Sequence, residues 1–153
     1  MFKKFLSALG FVAMIVAVLF AGGIGKQVGK AAFSPTKPSP QEIEVKLIEG
    51  LTRAAEQNNR RGPMMVDQET RLDRSAVGPG PRMTYFYTFP KYTSRDIERD
   101  WLIANLKPDV ARGVCASQEM KPSLQYGAKY IYAYSGSDGN EIARFEISAR
   151  DCR

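Results

Sequence analysis

KYIYAYSGSDGNEIARFEIS, Lys129 to Ser148, settles the fold class. Tyr130, Tyr132 and Tyr134 alternate with Ile131 and Ala133, the two-residue period of a strand. Ser137-Asp138-Gly139 turns the chain. Glu141 to Ser148 returns with Ala143, Phe145 and Ile147 on one face, which makes a β-hairpin. The same alternation occurs upstream in RMTYFYTF, Arg82 to Phe89. Met83, Tyr85, Tyr87 and Phe89 share one face, and Thr84, Phe86 and Thr88 the other. Pro90 ends this strand, and Gly78-Pro79-Gly80-Pro81 turns the chain before it. Met64-Met65-Val66 begins a strand region, and Thr70 to Val77 reads as a second extended stretch, continuous with the first through a bend.

Helices separate the strand pairs. Ser39-Pro40-Gln41-Glu42 has an N-cap serine, a proline at the first helical position and a glutamate able to complete a capping box. Ile43, Leu47, Leu51, Ala54 and Ala55 follow at helical spacing, so they are expected to face the core, with the helix fading at Asn58-Asn59 and stopping before Gly62-Pro63. Thr93-Ser94 reads as the cap of a second helix, with Asp96 and Glu98 in its first turn and Ile97, Trp101, Leu102 and Ala104 buried. Pro108 is expected to interrupt it, with a shorter piece running on to Cys115. Ser117 to Tyr126 reads as a third helix stopped by Gly127. The expected architecture is α+β, in the order α-β-β-α-(α)-β-β, with one antiparallel sheet and helices packed on one face.

The N-terminal part has a different character. Phe5 to Gly25 is 21 residues without a charge, bracketed by Lys4 and Lys26. At about 1.5 Å per residue a helix of that length spans about 30 Å, the hydrocarbon thickness of a bilayer. A cleaved signal peptide is the competing reading. Its apolar run is usually shorter, and Leu19-Phe20-Ala21 is a poor small-x-small site, so the balance favours an uncleaved anchor. Ala13, Ala17, Ala21, Gly25 and Gly29 fall on one helical face, a spacing that lets two membrane helices approach closely. It is read either as a face for weak homodimerisation or as the ordinary abundance of Ala and Gly in such helices. KAAFSPTKPSP, residues 30–40, is an extended, proline-rich spacer. The expected division is therefore a tip and membrane helix over 1–29, a linker over 30–39 and an α+β domain over 40–153.

Charge follows this division. Of the 22 basic residues, five lie at or before Lys37, where there is no acidic residue. The remaining 17 accompany all 16 carboxylates, so the domain carries about +1 of the chain's +6. Nucleic-acid binding needs its positive charge on the folded part and is not expected. Lysines beside an apolar helix suit membrane lipid headgroups.

The chain has no histidine, which excludes Ser-His-Asp and Cys-His catalysis and His-ligated metals. Cys115 and Cys152 are its two cysteines. Two reduced core thiols are one reading. The alternative, which the polar terminal position of Cys152 favours, is a disulfide stapling the last hairpin to the central helix. That implies an oxidising compartment, hence a cytoplasmic N-terminus and a periplasmic domain on a single-pass inner-membrane anchor.

Asp67-Gln68-Glu69 is read in a strand or bend, accepting from Arg71 or Arg74. Asp96, Glu98 and Asp100 are read as the exposed start of a helix. Neither group has the spacing of a general acid/base pair, so no catalytic, cofactor-binding or metal-ligating residue is assigned. Two features suit binding better, each beside a structural alternative. The aromatic series Tyr85, Phe86, Tyr87, Phe89, Tyr92, Tyr130, Tyr132 and Tyr134 fills cross-strand pairs or offers hydroxyls at the core's edge. Arg60-Arg61 complements a helix dipole or touches phosphate.

PMMVDQETRLD, TYFYTF, the single Cys115, YIYAY with SDG, and the terminal Asp151-Cys152 resemble a family of small, uncharacterised bacterial membrane-anchored proteins over residues 63–153. That family brings no assigned activity. More distantly, the α-β-β-α-β-β order with one disulfide is similar to the pilotins of type II secretion, α+β proteins that bind a helix of the secretin. Pilotins are typically lipoproteins, and this chain has no lipidation cysteine. The expected function is a membrane-tethered, non-enzymatic extracytoplasmic module that binds a protein partner in envelope or secretion-system assembly. The alternative is an accessory or small-ligand-sensing subunit of a membrane complex.

Overall fold

A computed structural model describes residues 37–153. The apolar stretch Phe5–Gly25 and the small-residue face Ala13, Ala17, Ala21, Gly25 and Gly29 lie outside the described residues. Among the described residues no helix is long and apolar enough to cross a membrane.

Helix α1 (Pro40–Arg61) begins at the expected capping box, with the Glu42 N–H donating to Ser39 Oγ and the Ser39 N–H to Glu42 Oε2. It buries Leu47, Leu51, Ala54 and Ala55, whereas Ile43 is only half-buried. The helix does not fade at the asparagines, because both hold strand β2 (Arg71–Val77). Asn58 donates to Ser75 Oγ at 3.0 Å. Asn59 donates to the Ser75 carbonyl at 2.9 Å and accepts the Ser75 N–H at 2.7 Å. The short β1 (Met64–Met65) pairs β2 only at Arg71 and Leu72. Farther along that edge, the Asn59 amide takes the place of a neighbouring strand.

Strand β3 (Arg82–Phe89) has the expected bounds and faces. Helix α2 (Arg99–Ala116) departs from expectation. It starts later, runs through Pro108, and buries Leu102, Leu106, Val110 and Val114, while Ala104 is exposed and Trp101 half-buried. Thr93 and Asp96 make a separate turn ahead of it, in which the Thr93 N–H and Oγ1 both donate to Asp96 Oδ2 at 2.7 Å. Proline removes the bond to the carbonyl four residues earlier. That carbonyl belongs to Ala104, and both residues are on the solvent side, so water can take the freed carbonyl while burial of Leu102, Leu106, Val110 and Val114 carries the helix through. Helix α3 (Met120–Gln125) is capped by Ser117 Oγ, which accepts from the Met120 N–H at 3.1 Å. Gly127 beyond it has φ +96°, where a side chain would be strained.

The chain then forms β4 (Lys129–Gly136), β5 (Glu141–Ile147) and a 3₁₀ turn (Ala149–Cys152). The sheet order is β1-β2-β3-β4-β5, and the expected wholly antiparallel sheet is corrected at its centre, because β3 and β4 are parallel. Length explains this. The 18 residues of α2 cover about 27 Å, and the 8 residues of β3 about 26 Å. One pass of the helix returns the chain to the start of β3, so β4 must run alongside it.

α1 lies over β2 and reaches β3, and α2 lies over β5. Their buried side chains form one core with Met83, Tyr85, Tyr87, Phe89, Tyr130, Tyr132, Tyr134, Phe145 and Ile147. Both helices therefore pack on the tyrosine face. On the opposite face, Phe86 lies under the Arg74 guanidinium at 3.6 Å and near that of Arg144 at 5.8 Å. Cys115 and Cys152 form a disulfide with a Cα–Cα distance of 5.3 Å, joining the end of α2 to the terminal turn.

Candidate functional site

The parallel register brings the aromatic residues together. Tyr85 is opposite Tyr132, Tyr87 opposite Tyr134, and Phe89 opposite Gly136. Each ring also meets its diagonal neighbours. Diagonally, Tyr87 stacks on Tyr132 at 6.2 Å and Phe89 on Tyr134 at 5.6 Å; directly across, Tyr87 stacks on Tyr134 at 5.1 Å and Phe145 on Tyr132 at 5.7 Å. The row lies in the core between α1, over β2, and α2, over β5.

Its hydroxyls fall into two kinds. Tyr130 has a partner, Ser123 Oγ at 2.7 Å, and that serine also donates to the Met120 carbonyl at 2.6 Å. The hydroxyls of Tyr87, Tyr132 and Tyr134 are buried and have no hydrogen-bond partner among the described residues. Buried polar atoms in native proteins are nearly always paired, and a buried unpaired hydroxyl costs about 1–3 kcal/mol. Three in one row therefore leave an unmet hydrogen-bonding demand in the core. Burial pushes the Tyr130 phenol up to about 12 despite its bond to Ser123. Tyr85, Tyr87 and Tyr132 are driven well above the usual phenol range by burial first, then by neighbouring tyrosines. Tyr134 is raised by burial and also by the negative charge of Asp67.

At the Tyr134 end of the row, the chain between β1 and β2 makes a tight turn. Asp67 Oδ1 accepts the N–H groups of Glu69 and Thr70, both at 2.7 Å. Lys91 donates to Glu69 Oε1 at 3.1 Å. The other carboxylate oxygens, Asp67 Oδ2 and Glu69 Oε2, and the hydroxyl of fully buried Thr70 have no hydrogen-bond partner among the described residues. This corrects the expectation that Arg71 or Arg74 serves this cluster: Arg71 bonds Asp73 at 2.5 Å, and Arg74 covers Phe86. Arg60 reaches Glu56 at 3.9 Å on an exposed surface. Asp96 accepts from Thr93, while Glu98 and Asp100 are exposed at the start of α2. Among the described residues no group of three or more Cys, Asp and Glu side chains is placed to hold a metal ion.

The tyrosines are visible in the sequence. Their unpaired hydroxyls are not, because they depend on where α1 and α2 lie relative to β3 and β4.

The fold has solved counterparts. A protein of Pseudomonas aeruginosa described as secreted aligns at 16% identity with a TM-score of 0.60, covering 72% of this chain and 96% of that one. The type II secretion system pilotin AspS of Vibrio cholerae aligns at 12% identity and TM-score 0.57, over 73% and 97%. The type 2 secretion system pilotin EpsS of Vibrio vulnificus aligns at 13% and 0.60, over 74% and 97%. At these identities the likeness is one of fold. No protein-family model matches the chain, and neither does any curated protein.

Proposed function

We propose that this protein is a membrane-tethered, non-enzymatic module on the periplasmic side of the bacterial inner membrane, and that it holds a segment of a protein partner between α1 and α2 during secretion-system assembly. The observation that carries the reading is the row of buried Tyr87, Tyr132 and Tyr134 hydroxyls on the two central strands, without hydrogen-bond partners among the described residues. The rings are already buried, so a partner segment would reach the row by parting α1 from α2, and it would give the hydroxyls acceptors or donors. Tyrosine suits such a surface because its body is apolar and its tip polar. The pilotin likeness in fold supports the reading, as does the Cys115–Cys152 disulfide, a bond that persists in oxidising compartments. The apolar stretch 5–25 supplies the tether and its lipid contact, and the Ala13 to Gly29 face a route to weak pairing within the membrane.

In-cell crosslinking in membranes, followed by mass spectrometry, tests this. One envelope protein should be recovered with the wild-type chain, and its yield should fall at least several-fold in a Tyr87→Phe/Tyr132→Phe/Tyr134→Phe variant, which keeps the rings and removes the hydroxyls. Equal recovery from the triple variant would refute the role given to the row.

A further inference from the structure

The unpartnered atoms at the end of the tyrosine row differ from those along it. Along the row they are neutral hydroxyls. At the end, two carboxylate oxygens, Asp67 Oδ2 and Glu69 Oε2, and the Thr70 hydroxyl are buried without a partner among the described residues, as the Tyr134 hydroxyl is. Backbone connectivity brings these groups together. The Thr70 carbonyl accepts the Val66 N–H at 2.9 Å, which closes the turn that carries both carboxylates. Arg71 pairs with Thr88, so Thr70 enters the sheet beside Phe89, whose ring stacks on Tyr134 at 5.6 Å. Burial first, and then the negative charge of Asp67, raise the Tyr134 phenol above its usual range. Thr70 is 0% exposed and Tyr134 1%.

The chemistry of this set is one-sided. Both carboxylates already use one oxygen, Asp67 on its own turn and Glu69 on Lys91, and each keeps the other oxygen buried. A buried carboxylate oxygen needs a hydrogen-bond donor, and a positively charged donor forms the strongest bond with it. The Thr70 and Tyr134 hydroxyls can turn to donate or accept. Lys91 approaches Glu69 Oε1 from a side where its own side chain is 61% exposed, and it leaves Oε2 unbonded.

We infer that Asp67, Glu69, Thr70 and Tyr134 form a cation-accepting subsite that takes the guanidinium or ammonium group of an Arg or Lys in the partner segment. The inference rests on the partner-binding reading and adds to it. The guest is a segment with a basic residue at one end of its contact, and that residue fixes the direction in which the segment lies along the tyrosine row.

The full chain in detergent micelles, titrated with n-butylguanidinium and followed by NMR amide shifts, provides the test. Saturable shifts are expected at Glu69, Thr70 and Tyr134, and n-butanol, a neutral analogue, should not reproduce them. Asp67→Asn keeps the Oδ1 acceptor that the turn uses and replaces the unbonded oxygen, so the fold should persist while the dissociation constant rises at least about tenfold. Tyr134→Phe should weaken binding less. No saturable shift, equal shifts with n-butanol, or unchanged affinity in Asp67→Asn would each overturn the subsite. Loss of partner crosslinking in the tyrosine triple variant alongside absent probe binding would overturn the subsite alone. Probe binding with crosslinking untouched in that variant would overturn the role of the row.

Discussion

Asn59 and the sheet tyrosines show how single side chains shape this protein. Asn59 supplies an acceptor and a donor to the backbone of Ser75, where β2 has no strand beside it. Asn59→Ala leaves both backbone groups unpaired and is expected to cost about 1–3 kcal/mol, read as a lower urea midpoint with an unchanged slope. The sequence suggested only a fading helix here, because asparagine near a helix end carries no mark of what it will bond. The tyrosines carry a pH dependence. Folding raises the phenol pKa of Tyr85, Tyr87, Tyr130, Tyr132 and Tyr134 above its usual value, chiefly through burial. Their contribution to stability is therefore complete below about pH 10, the unfolded phenol value, and is lost as pH rises from there toward the folded values. Spectrophotometric titration should show these five phenolates appearing together with alkaline unfolding. Smooth ionisation of all the tyrosines near pH 10 in a still-folded chain would contradict the burial.

At the scale of elements, strands were more legible than helices. β3 alternates without interruption, and its period alone sets its bounds and faces. In α2, Pro108 reads as a helix break in the sequence, but its missing bond falls on the solvent side. The stripe at Leu102, Leu106, Val110 and Val114 becomes clear once the helix is allowed to continue. The parallel pairing of β3 and β4 was missed because two antiparallel strand pairs each read clearly, whereas the direction of their joining depends on the length of α2. That pairing ends at Gly136, where a Cβ would lie 2.3 Å from the Ser94 backbone nitrogen and 2.6 Å from the Thr93 carbonyl carbon. Asp138 ties the same loop by accepting the Ser94 N–H at 3.1 Å and its hydroxyl at 2.7 Å. These bonds, with those from Asn140, hold its carboxyl down at about 2. Gly136→Ala must push backbone aside and is expected to cost about 1–3 kcal/mol. A thermal unfolding midpoint equal to wild type would show that the loop yields freely.

For the whole molecule, the disulfide closes a sequence separation of 37 residues, so a chain-entropy estimate gives about 4 kcal/mol of stabilisation. Lys107 and Asp151 form an ion pair at 3.4 Å between the same two elements. A Cys115→Ser/Cys152→Ser variant should fold to the same sheet but unfold at clearly lower denaturant, and a midpoint within error of wild type would contradict the staple. The α+β class, the helix-strand order and the cysteine partners were legible in the sequence, because alternation and capping are local. The aromatic row was legible only as a list of tyrosines, and the carboxylate turn at its end only as two acids with the wrong arginines assigned to them.

The most direct test places a photoreactive aromatic, p-azidophenylalanine, at position 132 in the middle of the row and, as a control, at Tyr126, which is 43% exposed at the end of α3. Irradiation of intact cells should crosslink position 132 to one envelope protein in good yield and position 126 to little or nothing. The position 132 yield should also fall when Tyr87 and Tyr134 are changed to phenylalanine. No crosslinked protein from position 132, or the same pattern from both positions, would contradict a partner held along the tyrosine row.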